Sequence, residues 1–173
     1  MKSVLMSIQP KWCGLIANGE KTIEVRKTQP RLNTPFKVYI YCTKNYSFGE
    51  FYTSQDLFAT PVQGKVIGEF VCDKIQIDIP RTLYASHKLV FNSCVPIQEL
   101  IDYVGEKNFL YFWHISNLVI YDKPRELSEF YVPIKDYWET YNPSNYINGC
   151  WQKPLKRPPQ SWCYVWEKKY DKL

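Results

Sequence analysis

An α+β fold, a small mixed β-barrel with two or three flanking helices, is predicted by three features of the 173-residue sequence. Several short runs alternate apolar and polar side chains with period two, the pattern of half-buried strands. Two segments switch to helical spacing, each opened by a proline and stopped by a glycine. The strands are short and lack the regular helix between each pair that a doubly wound sheet requires. With 45% hydrophobic and 23% charged residues, the composition is that of one globular domain spanning 1–173, with no linker or repeat to divide it.

The elements follow in order. Val4 to Ile8 reads as a short buried strand, and Pro10 then opens a helix carrying Trp12, Cys13, Leu15 and Ile16 before Asn18 and Gly19 stop it. From Thr22 to Arg26 the period is two: Thr22, Glu24 and Arg26 on one face, Ile23 and Val25 on the other. Phe36–Cys42, Lys65–Cys72 and Lys74–Ile79 also alternate. Between them 43–62 is aromatic and polar without period, which predicts a long loop or lid. Pro96 opens a second helix with Ile97, Leu100, Ile101 and Val104 at i, i+3, i+4, i+7, ended by Gly105. Tyr111–Ile115, Leu118–Tyr121 and Trp162–Glu167 read as strands, Asp122–Pro124 as a turn, and the Asn-, Pro- and Gly-rich 141–160 as an irregular arm.

Several function classes are disfavoured at this level. The longest apolar stretches, such as Val38–Cys42 and Phe109–Trp113, are about five residues against the roughly 20 of a membrane helix. Gln9, Pro10 and Lys11 interrupt any secretory apolar region, so a cytoplasmic location without membrane contact is expected. The six cysteines have no zinc-knuckle spacing and read as reduced thiols, and no metal or other cofactor is expected. The net charge of +5 is concentrated: residues 1–48 hold eight Lys/Arg against two Asp/Glu. Such a patch favours an anionic partner, nucleic acid or nucleotide first, and no obligate protein partner is inferred.

Chemistry concentrates in GEKTIEVR, Gly19 to Arg26. A glycine ending a helix delivers Lys21, Thr22, Glu24 and Arg26 onto one strand entry. If Glu24 and Arg26 point into a barrel mouth they form a charge-assisted pair, and Arg26 near Lys21 favours the neutral amine, a usable base. The alternative is the solvated face of an edge strand, whose ion pairs contribute about 0–1 kcal/mol.

GEKTIEVR resembles the GxKxxExR signature of the ASCH domain through Gly19, Lys21, Glu24 and Arg26. The preceding SIQPKWCGLIANG is similar to the family's opening, and VIGEFVCDKI, FWHISNLVIYDKPRELSEF and RPPQSWCYV resemble a bacterial and phage-associated branch. The resemblance implies a PUA-like β-barrel with a cleft lined by the motif, and a family chiefly described as a predicted RNA-binding module. Some small members look like amidohydrolases of acylated nucleosides, with the motif Lys in a catalytic role and Thr at the position matching Glu24. Ribonuclease activity is also attributed to the family.

Four further residues are candidates. Trp12 is a stacking ring beside the motif, within a sequence that is 17% aromatic. His114, in FWHIS, is placed at the barrel mouth. In RPPQSW the prolines hold the backbone extended and present Gln160 and Ser161 as base-edge hydrogen-bonding groups. Two readings result. In a binding module for RNA or a modified nucleotide, Lys21 and Arg26 hold phosphate while Glu24 reads a base or orients Arg26. In a small hydrolase, an acylated-nucleoside amidohydrolase or ribonuclease, Lys21 activates water or attacks while Glu24 shuttles a proton.

Overall fold

The computed structural model describes residues 2–44, 62–134, 146–147 and 150–167. Its elements in chain order are β1 (Ser3–Ile8), α1 (Pro10–Ala17), β2 (Ile23–Arg26), β3 (Phe36–Cys42), β4 (Val66–Cys72), β5 (Ile75–Asp78), α2 (Lys88–Ser93) and α3 (Ile97–Val104). They continue with β6 (Leu110–His114), β7 (Ser116–Arg125), β8 (Phe130–Pro133), β9 (Tyr146–Ile147), β10 (Cys150–Pro154) and β11 (Trp162–Glu167). One sheet runs β7-β4-β3-β1-β11-β8-β10-β9 and a smaller one β2-β6-β5. The fold is mixed α+β: β1 and β3 are parallel, with Val4 opposite Val38, while β1 and β11 are antiparallel. Among the described residues the ladders do not close into a ring.

Burial explains the architecture. All six residues of β1 are buried, as the central strand of the large sheet requires. On one side Val4, Met6, Ile8, Val38, Ile40 and Phe70 pack with Cys13 and Ile16 of α1 and with Trp113. A second cluster joins Ile23 and Val25 of β2 to Phe112 of β6, Leu89 and Val90 of α2, and Leu100 and Val104 of α3. Helices α2 and α3 therefore cover the small sheet, whose polar groups point elsewhere.

Three readings need correction. Asp122–Pro124 is not a turn but part of β7, which runs unbroken to Arg125. An edge strand tolerates proline because the missing N–H would face away from the ladder, and β7 pairs only with β4 among the described residues. The arm 141–160 contains β9 and β10, and β10 pairs antiparallel with β8. A further helix, α2, absent from the sequence pattern, has six residues capped by His87, whose Nδ1 accepts the Leu89 N–H at 3.3 Å, and is ended by Cys94 in the left-handed region. Of the predicted loop or lid 43–62, residues 45–61 lie outside the described residues.

Two glycines test this packing. A Cβ on Gly68 would lie 2.4 Å from the Val119 carbonyl oxygen, whereas one on Gly14, inside α1, meets nothing within 4 Å. Gly68→Ala is expected to force β4 and β7 apart and cost on the order of 1–3 kcal/mol. Gly14→Ala should stabilise by roughly 0.5–1 kcal/mol through helix propensity. Urea denaturation of the two variants checks both signs.

Candidate functional site

The site begins with the exit from α1. Gly19 has φ +77°, a conformation in which a side chain would be strained. The N–H groups of Glu20 and Lys21 both reach back to the Leu15 carbonyl, at 3.0 and 2.9 Å. This closes the helix end and leads the chain inward at Lys21.

Lys21, Glu24 and Arg26 then form a buried ion chain, with residue exposures of 2%, 6% and 8%. Lys21 Nζ lies 3.3 Å from Glu24 Oε2, and Arg26 Nη2 lies 3.0 Å from Glu24 Oε1. The outer ends are anchored on backbone: Lys21 Nζ donates to the Ser93 carbonyl at 2.6 Å and Arg26 Nη2 to the Ser7 carbonyl at 2.7 Å. The lysine contact is close enough for ion pairing but lacks hydrogen-bond geometry, and neither Glu24 Oε2 nor Arg26 Nε has a hydrogen-bond partner. Burial lowers the Lys21 pKa, opposed by the adjacent Glu24 carboxylate and assisted by the Arg26 charge.

A cleft of about 760 Å³ opens over this chain. Of the predicted site residues, Trp12, Lys21, Glu24, Arg26, Gln160 and Ser161 line it. Ser7 draws in the last two: its N–H donates to the Ser161 carbonyl at 2.9 Å and its hydroxyl to the Pro159 carbonyl at 2.6 Å. Two predicted residues fall elsewhere. Thr22 precedes β2, so strand alternation does not govern it; its side chain is exposed while its backbone bonds Asn92 and Ile115. His114 ends β6 with Nε2 2.8 Å from Gln76 Oε1, outside the cleft lining, and burial followed by the Lys74 charge lowers its pKa.

The sequence reasoning missed two lysine–aromatic pairs on the cleft. Lys11 Nζ stands 4.5 Å from the Trp12 ring centroid, and Lys27 Nζ 4.7 Å from that of Tyr103. All four residues line the cleft, with Glu99 as the second carboxylate. The signal for Tyr103 was available, since it sits four residues after Glu99 on α3, beside the apolar stripe of Leu100 and Val104. Among the described residues no three His, Cys, Asp or Glu side chains gather as a metal site.

The ion chain makes a stability prediction. Glu24→Gln leaves two buried cations with no anion between them and should cost on the order of 3–5 kcal/mol. Lys21→Met keeps the Glu24–Arg26 pair and should cost less. Because the folded Lys21 pKa is depressed, the unfolded chain holds more protons between that value and the ordinary 10.5. Wild-type stability relative to Lys21→Met should therefore rise with pH through this window. Urea midpoints of the three proteins across the window measure both effects.

Comparison with known proteins identifies the fold and the family. No curated protein matches the chain. The fold is similar to that of an ASCH protein from Zymomonas mobilis, at 20% identity over 72% of this chain and 73% of the other, with a TM-score of 0.55. It is also similar to a serine-to-alanine variant of a Zymomonas mobilis ASCH protein, at 18% identity over 96% of this chain and 89% of that one, with a TM-score of 0.60. The family model described as "ASCH domain" matches residues 6–142, which include α1, the Gly19 turn and the ion chain. The chain belongs to the ASCH domain family, which is PUA-like and RNA-associated.

Proposed function

We propose that this ASCH domain binds RNA or a modified nucleotide in the cleft above Lys21, Glu24 and Arg26. One observation carries the reading: two lysine–aromatic pairs, Lys11 with Trp12 and Lys27 with Tyr103, line the same cleft, whose floor holds two cations against one carboxylate. A nucleotide needs both features, an aromatic face for its base and positive charge for its phosphate. Trp12 and Tyr103 supply the rings, Lys11 and Lys27 the phosphate contacts, and Gln160 and Ser161 hydrogen bonds to the base edge.

Within this reading Lys21 is a positioning residue. It is 2% exposed, and its ammonium already donates to Ser93 and pairs with Glu24. It holds the carboxylate that in turn fixes Arg26. A hydrolase that uses Lys21 as base or nucleophile and Glu24 as proton carrier is the second reading, favoured by the depressed lysine pKa next to a carboxylate.

A mass-spectrometric screen of nucleosides and short RNAs, before and after incubation with the protein, separates the two. A binder retains ligands unchanged. A hydrolase converts an acylated or modified nucleoside, and a folded Lys21→Met variant should lose about 10²- to 10⁴-fold in turnover. For RNA binding, three or four phosphate contacts predict a log–log salt slope of about −2 to −3, flattened by ~0.7 in each of Lys11→Ala and Lys27→Ala. A flat titration of the wild type would remove phosphate contacts from the account.

A further inference from the structure

We infer that the partner is a single-stranded polynucleotide, and that it leaves the cleft along a second surface formed by Trp162, Tyr164, Lys2 and Arg31. This rests on the nucleotide reading of the cleft and adds a path for the neighbouring nucleotides. The path is continuous with the cleft through Thr28, which lines it and whose Oγ1 accepts the Trp162 Nε1–H at 2.9 Å. Trp162 and Tyr164 are alternate residues of β11 and so share a face, with ring centroids 5.5 Å apart. Both rings are half-buried, anchored yet partly open to solvent.

Charge accompanies the rings. Lys2 Nζ stands 3.7 Å from the Tyr164 ring centroid. The Arg31 backbone N–H donates to Tyr164 Oη at 2.7 Å, which holds the backbone of this exposed arginine at the hydroxyl end of the same side chain. From Lys27 to Gly49 the sequence has no Asp or Glu, so no carboxylate of this stretch competes for Arg31. Alternating rings and cations next to a nucleotide-sized cleft are the requirements of a single-strand path, where bases stack and phosphates meet point charges. A mononucleotide would leave the surface unused. An acidic peptide would use the cations but not the two rings, which meet edge to face at 76°.

The test measures binding of mixed-sequence oligoribonucleotides of one, two, four and eight nucleotides, with octaglutamate as a second anion, to the wild type and to Lys2→Ala/Arg31→Ala. Both substituted side chains are exposed, and thermal melting verifies the fold. Affinity is expected to rise at least tenfold from one to four nucleotides in the wild type. The double variant should lose most of that rise while binding the single nucleotide as the wild type does. Length-independent affinity with intact mononucleotide binding would overturn the path and leave the cleft reading standing. Absence of binding at every length would overturn both, and octaglutamate binding as tight as the RNA octamer would overturn the polynucleotide as partner.

Discussion

A carboxylate held between two buried cations is the constraint around which the site is organised. Removing three charges from water costs several kcal/mol each unless every charge is met. Glu24 meets two of them, and the Ser93 and Ser7 carbonyls accept hydrogen bonds from the outer ends of Lys21 and Arg26. Those carbonyls belong to the end of α2 and to β1, so the ion chain fixes the position of both elements relative to β2. The three side chains carry one unit of positive charge in excess. The cleft floor is thus attractive to an anion although the chain beyond residue 48 is close to neutral.

A second polar network shows why charge density alone does not mark a site. Glu69 accepts from Lys37 at 2.7 Å and from Tyr121 at 2.5 Å, while Arg125 reaches Glu167 at 2.6 Å and Glu129 at 3.1 Å. Burial raises the Tyr121 pKa, and hydrogen bonding and charge from Glu69 add to the shift. For Glu167, burial acts upward, but the Arg125 and Tyr39 bonds prevail and hold the carboxylate below its usual range. These groups cross-link β3, β4, β7 and β11 and satisfy one another. The cleft differs in having two lysine–aromatic pairs, Lys11 with Trp12 and Lys27 with Tyr103, on its open lining beside the ion chain.

Much of this was legible in the sequence because local rules and tertiary demands agree there. Pro10 and Gly19 bound α1 in both readings, Phe36–Cys42 and Trp162–Glu167 are strands with the bounds their alternation implies, and Leu100 and Val104 face the core of α3. Legibility failed where a long-range partner supplies the order. The helix α2 is too short to show a period and is held by His87 and by packing on β2. Strand β10 is concealed by Asn, Pro and Gly around it and exists through its pairing with β8. Trp113 stands in FWHIS next to the candidate His114, yet it is fully buried, edge-on to Phe36 at 5.6 Å. Periodicity gives the face of a strand but not the neighbour it faces.

Ser7 carries a consequence for how the protein is made. Its carbonyl receives Arg26, its N–H reaches Ser161 and its hydroxyl reaches Pro159. On the ribosome the motif residues therefore emerge long before the segment that completes their surroundings. Strand β11, which seals the edge of β1, comes later still. Until it arrives, β1 has an unpaired edge and the buried charges lie in an unfinished wall, the kind of surface that recruits wrong partners. Synthesis order thus makes the nascent chain most vulnerable where the finished protein is best protected, and the family motif becomes a site only after residues 159–165 have joined β1.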